Sequence, residues 1–230
     1  MEVNAAEVSC LTEWLAEWLP AYCRVPLLVW FVLNCVVFFG ARWINRNAVY
    51  HNFTLPIDRK LPMVPAFIVV YVLAYLSWIA GFWLIALQGP EACGVIFGEI
   101  ISKFICLIIF ITVPTEMEKP PVEDKNFFGW LCRFIFGMDE PNTLLPSIHC
   151  LENWMVWRGM LGFDTIPKAV KIFFFVYMLL VFVSTLLLKQ HLIVDIPAAI
   201  LVGEIGLWLA QRLQLGAHYA AWWASKGALL

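Results

Sequence analysis

Apolar residues run through this chain in long blocks separated by short polar punctuation. Blocks at 25–41, 62–87, 93–113, 144–163, 167–188 and 192–213 each approach the roughly 20 mostly apolar residues that a helix needs to cross a bilayer. Arg42 and Arg46 close the first, Gln88-Gly89-Pro90 the second and Pro114 the third. The fourth is the weakest, because it carries His149, Glu152 and Arg158. The stretch 166–213 is too long for one crossing, and Lys189-Gln190-His191 is its only polar interruption, so the pattern predicts a turn there. Ahead of these blocks, Val8, Leu11, Leu15, Trp18 and Leu19 recur at helical spacing while Glu7, Glu13 and Glu17 fall largely elsewhere, and Pro20 ends the pattern. Residues 5–19 therefore read as a helix lying on the membrane surface or packed on the other helices.

Six spans with both termini on one side give an all-α, polytopic membrane protein. It divides into an interfacial segment 1–24, a membrane domain 25–213 and a C-terminal tail 214–230. Three connections then share one face: residues 42–61, residues 114–143 and the turn near 189. Positive charge does not orient the chain, because Lys and Arg are spread over both faces without a clear bias.

Composition supports the membrane assignment. Hydrophobic residues make up 62 %, charged residues only 14 %, and the mean hydropathy is +0.81. A soluble domain is nearer half apolar and a quarter charged. The net charge of −2 and the scattered cations leave no polyanion-binding face, so nucleic acid is excluded as a partner class. Seven cysteines form no CxxC pair and mostly sit in apolar runs, where they read as small buried hydrophobes. Glu2 and Glu7 precede any apolar stretch, a start unlike that of a cleavable signal peptide.

Only four histidines occur, and two of them sit beside acids and hydroxyls at the edges of apolar blocks: Pro146-Ser147-Ile148-His149, and Ser184 followed by His191 and Asp195. Polar chemistry at membrane depth is costly and usually functional. If 191–195 is helical, Asp195 lies on the same face as His191 and can bond one ring nitrogen, leaving the other nitrogen's lone pair outward. A histidine held in this way can attack phosphorus. Taken alone, the spacing fits an ordinary polar pair as well. His149 follows Ser147, a residue type suited to cap a helix start, and is placed to protonate a leaving oxygen. Lys119 and Lys189 supply cations for a phosphate, or simply reach solvent.

Those two strings resemble the second and third signatures of the type-2 phosphatidic acid phosphatase superfamily, which includes lipid phosphatases and, more distantly, sphingolipid synthases and vanadium haloperoxidases. The likeness covers about residues 93–212. It implies a six-helix bundle with its site at the extracytoplasmic surface and a lipid phosphate as substrate. It further implies His191 as nucleophile, Asp195 as its orienting acid and His149 as acid for the leaving group. Ser147, Ser184 and the Ile148 backbone would bind phosphate, and no cofactor is required. The chain departs from the pattern at three places. Thr112 stands where the first signature has lysine, seven residues before Lys119-Pro120. Thr185 replaces the arginine after the serine, and Ile148 replaces a glycine.

Two other readings stay open. One passes the phosphoryl group to a lipid alcohol instead of water. The other is a non-catalytic transporter or binding protein using Glu99, Lys103 and Glu204 at the membrane midplane. A metal site from His149, Cys150, Glu152, His191 and Asp195 ranks below these, because no closed ligand motif is present.

Overall fold

The computed structural model describes residues 18–123, 125–138 and 143–227. Its helices are α1 (Ala21–Asn45), α2 (Pro56–Lys60), α3 (Ile68–Ala86), α4 (Cys93–Thr112), α5 (Phe127–Met138), α6 (Ile148–Met160), α7 (Lys168–Leu187), α8 (Asp195–Arg212) and α9 (Leu215–Gly227). Among the described residues no strand forms; a lone bridge joins His51 to Thr115. Four helical stretches, Ala21–Asn45, Pro65–Ala86, Pro90–Thr112 and Lys168–Leu187, are long and apolar enough to cross a membrane, and α8 with α9 makes a fifth if that pair, bent by 49°, is one broken span. The chain is therefore an integral membrane protein. Punctuation works as the residue chemistry dictates: Gly89 takes φ 117° in the α3–α4 turn, and Pro90 opens the next helical stretch where its missing N–H costs nothing.

The hydrophobic blocks and the helices differ in four places. The block at 144–163 forms only the 13-residue α6, about 20 Å long against a hydrocarbon core of about 30 Å. Burial along α6 explains how an apolar environment tolerates its polar residues. The connection 114–143 contains α5, a second short apolar helix. Residues 215–227, expected as tail, form α9, which packs on α4 and on the turn at Pro90–Ala92. At the other terminus α1 starts at Ala21, so the expected segment boundary at 24 falls inside a helix; most of the surface helix expected at 5–19 lies outside the described residues.

Helix α4 packs against α8 and α1, while α6 packs on α7, α8 and α3. Small residues allow the α4–α8 approach, since a Cβ on Gly206 would strike the Gly98 carbonyl. Ser102 Oγ donates across this contact to Val202 O (3.3 Å). Three further bonds fix which helix ends meet. Asn45 Nδ2 donates to Phe110 O (2.6 Å), Val64 N to Leu187 O (2.9 Å) and Ser147 N to Asp195 O (3.3 Å). The last turns of α1, α4 and α7 and the first turns of α3, α6 and α8 thus lie at one end. At the opposite end Tyr219 donates to the Tyr22 carbonyl, placing α9 beside the start of α1.

Candidate functional site

The turn between α7 and α8 carries His191. Lys189 adopts φ 53° there, and the Gln190 and His191 amides both bond Thr185 O (2.9 and 3.2 Å). His191 precedes α8, so the helical argument for its contact with Asp195 is corrected: the turn makes the contact. Asp195 opens α8, and its Oδ2 accepts from the Leu192 amide (2.8 Å) and from His191 Nδ1 (3.1 Å). The Leu144 carbonyl is also 3.1 Å from Nδ1. A carbonyl and a carboxylate can only accept, so Nδ1 carries a proton, and in the neutral ring the lone pair is then on Nε2.

His149 sits in the first turn of α6, capped by Ser147 Oγ, which accepts from the Cys150 amide (3.2 Å). Its ring stacks on Tyr71 (4.0 Å between centroids) and meets Trp78 (5.0 Å) and Tyr75 (5.3 Å) edge-on. Positions 71, 75 and 78 form one stripe of α3, a signal that helical spacing makes readable in the sequence. Asn153 Nδ2 donates to His149 O (2.8 Å), and Ser77 Oγ donates to Asn153 Oδ1 (3.0 Å). The two histidine rings lie 6.3 Å apart.

This cluster retains unused bonding capacity. His149 Nε2, Asp195 Oδ1, Gln190 Nε2 and Trp78 Nε1 are buried without a hydrogen-bond partner among the described residues. Each such group costs about 1–3 kcal/mol, an outlay that a bound polar ligand would offset.

The expected phosphate ligands divide. Ser147 and Ile148 stand at the start of α6 beside the histidines. Lys119 reaches the same end, donating to Gln190 Oε1 (2.8 Å) one residue before His191 and lying 4.9 Å over the Phe136 ring. Ser184 differs from expectation: its buried hydroxyl donates to Val181 O (2.7 Å) inside its own helix. Thr185 behaves alike, donating to Phe182 O (2.8 Å). Thr112 is exposed and bonds Ile108 O (2.8 Å). Lys189 turns aside to the Asp58 carbonyl (2.7 Å). Burial lowers its ammonium below the ordinary lysine value, an effect that the nearby Asp58 carboxylate opposes.

Asp58 was missed in the sequence. Its Oδ2 accepts from the Leu55 amide (2.8 Å) and its Oδ1 from the Ile193 amide (2.9 Å), tying the 42–61 connection to the His191 turn. Pro56 followed by Asp58 is a helix-start signal, but nothing local announces a partner 135 positions away.

A second polar cluster lies within the helices. Lys103 Nζ is 3.1 Å from Glu99 Oε1 and 2.8 Å from Glu152 Oε1, with all three side chains fully buried. Trp30 Nε1 donates to Glu152 Oε2 (3.3 Å). Glu204 does not join them; it accepts from Trp154 Nε1 (2.9 Å) and pairs with Arg158 (3.1 Å) at a partly exposed position. Among the described residues no three His, Cys, Asp or Glu side chains gather as a metal site. Comparison with protein-family models, curated proteins and solved structures finds no match for the chain.

Proposed function

We propose that this protein is a membrane-embedded phosphatase of lipid phosphates or pyrophosphates, acting through a phosphohistidine on His191. The observation that carries the proposal is the pair of acceptors on His191 Nδ1, Asp195 Oδ2 and Leu144 O, with the His149 ring 6.3 Å away. His191 Nε2 attacks phosphorus, and the P–O bond to the lipid breaks. His149, protonated once the anionic substrate phosphate lies against its ring, gives that proton to the departing oxygen. It then takes a proton from water, whose oxygen attacks the phosphohistidine and releases inorganic phosphate, leaving His191 free and His149 reprotonated. Lys119 and the amides at the start of α6 stabilise phosphate oxygens.

In this proposal the chain crosses the membrane six times as one bundle, with α6 as its short buried member. The histidine end faces the extracytoplasmic side of the cell membrane. The experiment is phosphate release from phosphatidic acid, phosphatidylglycerol phosphate, polyprenyl pyrophosphate and sphingoid phosphate in vesicles. Wild type releases phosphate from at least one, and His191→Ala lowers the rate by about 10⁴-fold or more. Full activity of that variant would overturn the mechanism. A new phosphorylated lipid without free phosphate would redirect the same intermediate to a lipid alcohol.

A further inference from the structure

Helix α5 is 12 residues long, about 18 Å, too short to cross a bilayer yet almost wholly apolar. It buries Gly129 and Cys132 toward the start of α3, where Cys132 Sγ lies 3.7 Å from Pro65 O. Its other side exposes Phe127, Phe128, Trp130, Phe134 and Met138 by 37–62 % each. Phe127, Trp130 and Phe134 follow one another along this side, the first pair tilted and the second stacked, with centroids 6.0 and 5.9 Å apart. An aromatic helix at the ends of membrane-spanning helices belongs in the headgroup layer. Between α5 and the preceding chain opens a cleft of about 530 Å³ lined by Met117, Glu118, Lys119, Val122, Arg133 and Phe136. Lys119 and Arg133, the latter donating to Val122 O (3.2 Å), stand beside Glu118 over an apolar floor, a surface whose chemistry matches an anionic head on an apolar tail.

The cleft adjoins the histidines. Lys119 bonds Gln190, the residue before His191. Met117 packs with Leu144 and Leu192, and Leu144 supplies the carbonyl on His191 Nδ1. The histidine pair itself is nearly closed, with His149 only 7 % exposed. A lipid needs a route to it.

We propose that α5 and this cleft form a lateral access subsite for an anionic phospholipid of the surrounding bilayer. Its phosphate rests between Lys119 and Arg133 and its acyl chains lie along the α5 aromatic face. The subsite rests on the phosphatase reading for its purpose, though its occupancy can be measured without turnover. His191→Ala protein in phosphatidylcholine vesicles is irradiated with photoreactive phosphatidic acid bearing its diazirine near the glycerol, and adducts are mapped by mass spectrometry. Adducts fall within residues 117–137, and excess phosphatidic acid competes for them while phosphatidylcholine does not. Arg133→Gln lowers their yield about fivefold, the worth of one interfacial cation, and Arg133→Lys restores it. Equal labelling by a photoreactive phosphatidylcholine, or adducts confined to other segments, would overturn the subsite. Specific adducts in a protein that hydrolyses no lipid phosphate would overturn the phosphatase reading and leave the subsite standing.

Discussion

His149 and Glu152 stand three residues apart on α6, yet the polar clusters they enter are built on opposite principles. Glu152 meets Lys103 and Glu99 with every side chain fully buried, and ion pairing with Lys103 together with the Trp30 bond engages every charged atom but Glu99 Oε2, which has no partner among the described residues. His149 meets His191 and Asp195 at the end of the helices, where four buried polar atoms are left without partners among the described residues. A cluster whose charges pair with one another holds helices in register; one made of unpaired nitrogens and oxygens has capacity left for something that binds. Burial and charge alone therefore do not distinguish a binding site from a structural ion cluster. The transporter reading, which placed function at Glu99, Lys103 and Glu204, loses a member because Glu204 pairs with Arg158 instead.

The contrast is broken most forcefully at Lys103. Lys103→Met leaves two buried carboxyl groups facing each other, and the loss of one partner from a buried ion pair costs about 3–5 kcal/mol. Thermal unfolding in detergent should register this as a large fall in midpoint, while the fraction that stays folded hydrolyses lipid phosphate at the wild-type rate. A stable, inactive variant would show that the ion cluster takes part in the chemistry.

Next in size is Asp195→Asn. Where a carboxylate alone sets the tautomer of a catalytic histidine, its amide costs about 10⁴-fold. Here the Leu144 carbonyl also accepts from Nδ1, so the reactive tautomer survives and only the stabilisation of positive charge on the ring is lost. The expected fall in the rate of phosphate release is about 10²-fold, with an unfolding midpoint close to wild type. A fall as large as that of His191→Ala would mean that Leu144 holds nothing.

Much of this site was legible in the chain. The spacing of His191 and Asp195 announced their contact, although the turn closes it before α8 begins. Ser147 declared the start of α6 by its chemistry. What escaped has two physical sources. Helix α5 was hidden because the charged residues at 116–125 and 139–140 flank its 12 positions and Arg133 interrupts them, so that the connection 114–143 reads as polar overall. The aromatic cage on His149 and the bonds from Asp58 depend on pairing between helices remote in sequence, which no local pattern encodes. Ser184 and Lys189, expected to bind phosphate, each donate to a backbone carbonyl in the structure, Val181 O and Asp58 O.

Lys189 gives the smallest effect and the finest test of that last point. The signatures that the chain resembles carry cations where Thr112 and Thr185 stand here, which leaves Lys119 and Lys189 as the cations expected for a phosphate. The geometry gives Lys189 another task, because its ammonium holds the Asp58 carbonyl (2.7 Å) while Lys119 lies against Gln190 beside His191. Lys119→Gln should raise KM for a lipid phosphate by about tenfold, the worth of one charge-assisted hydrogen bond to phosphate. Lys189→Gln can still donate to the same carbonyl, and KM should shift by less than about twofold. Equal shifts for the two variants would return Lys189 to the phosphate site. They would also mean that the α7–α8 turn rearranges when substrate binds, carrying His191 with it.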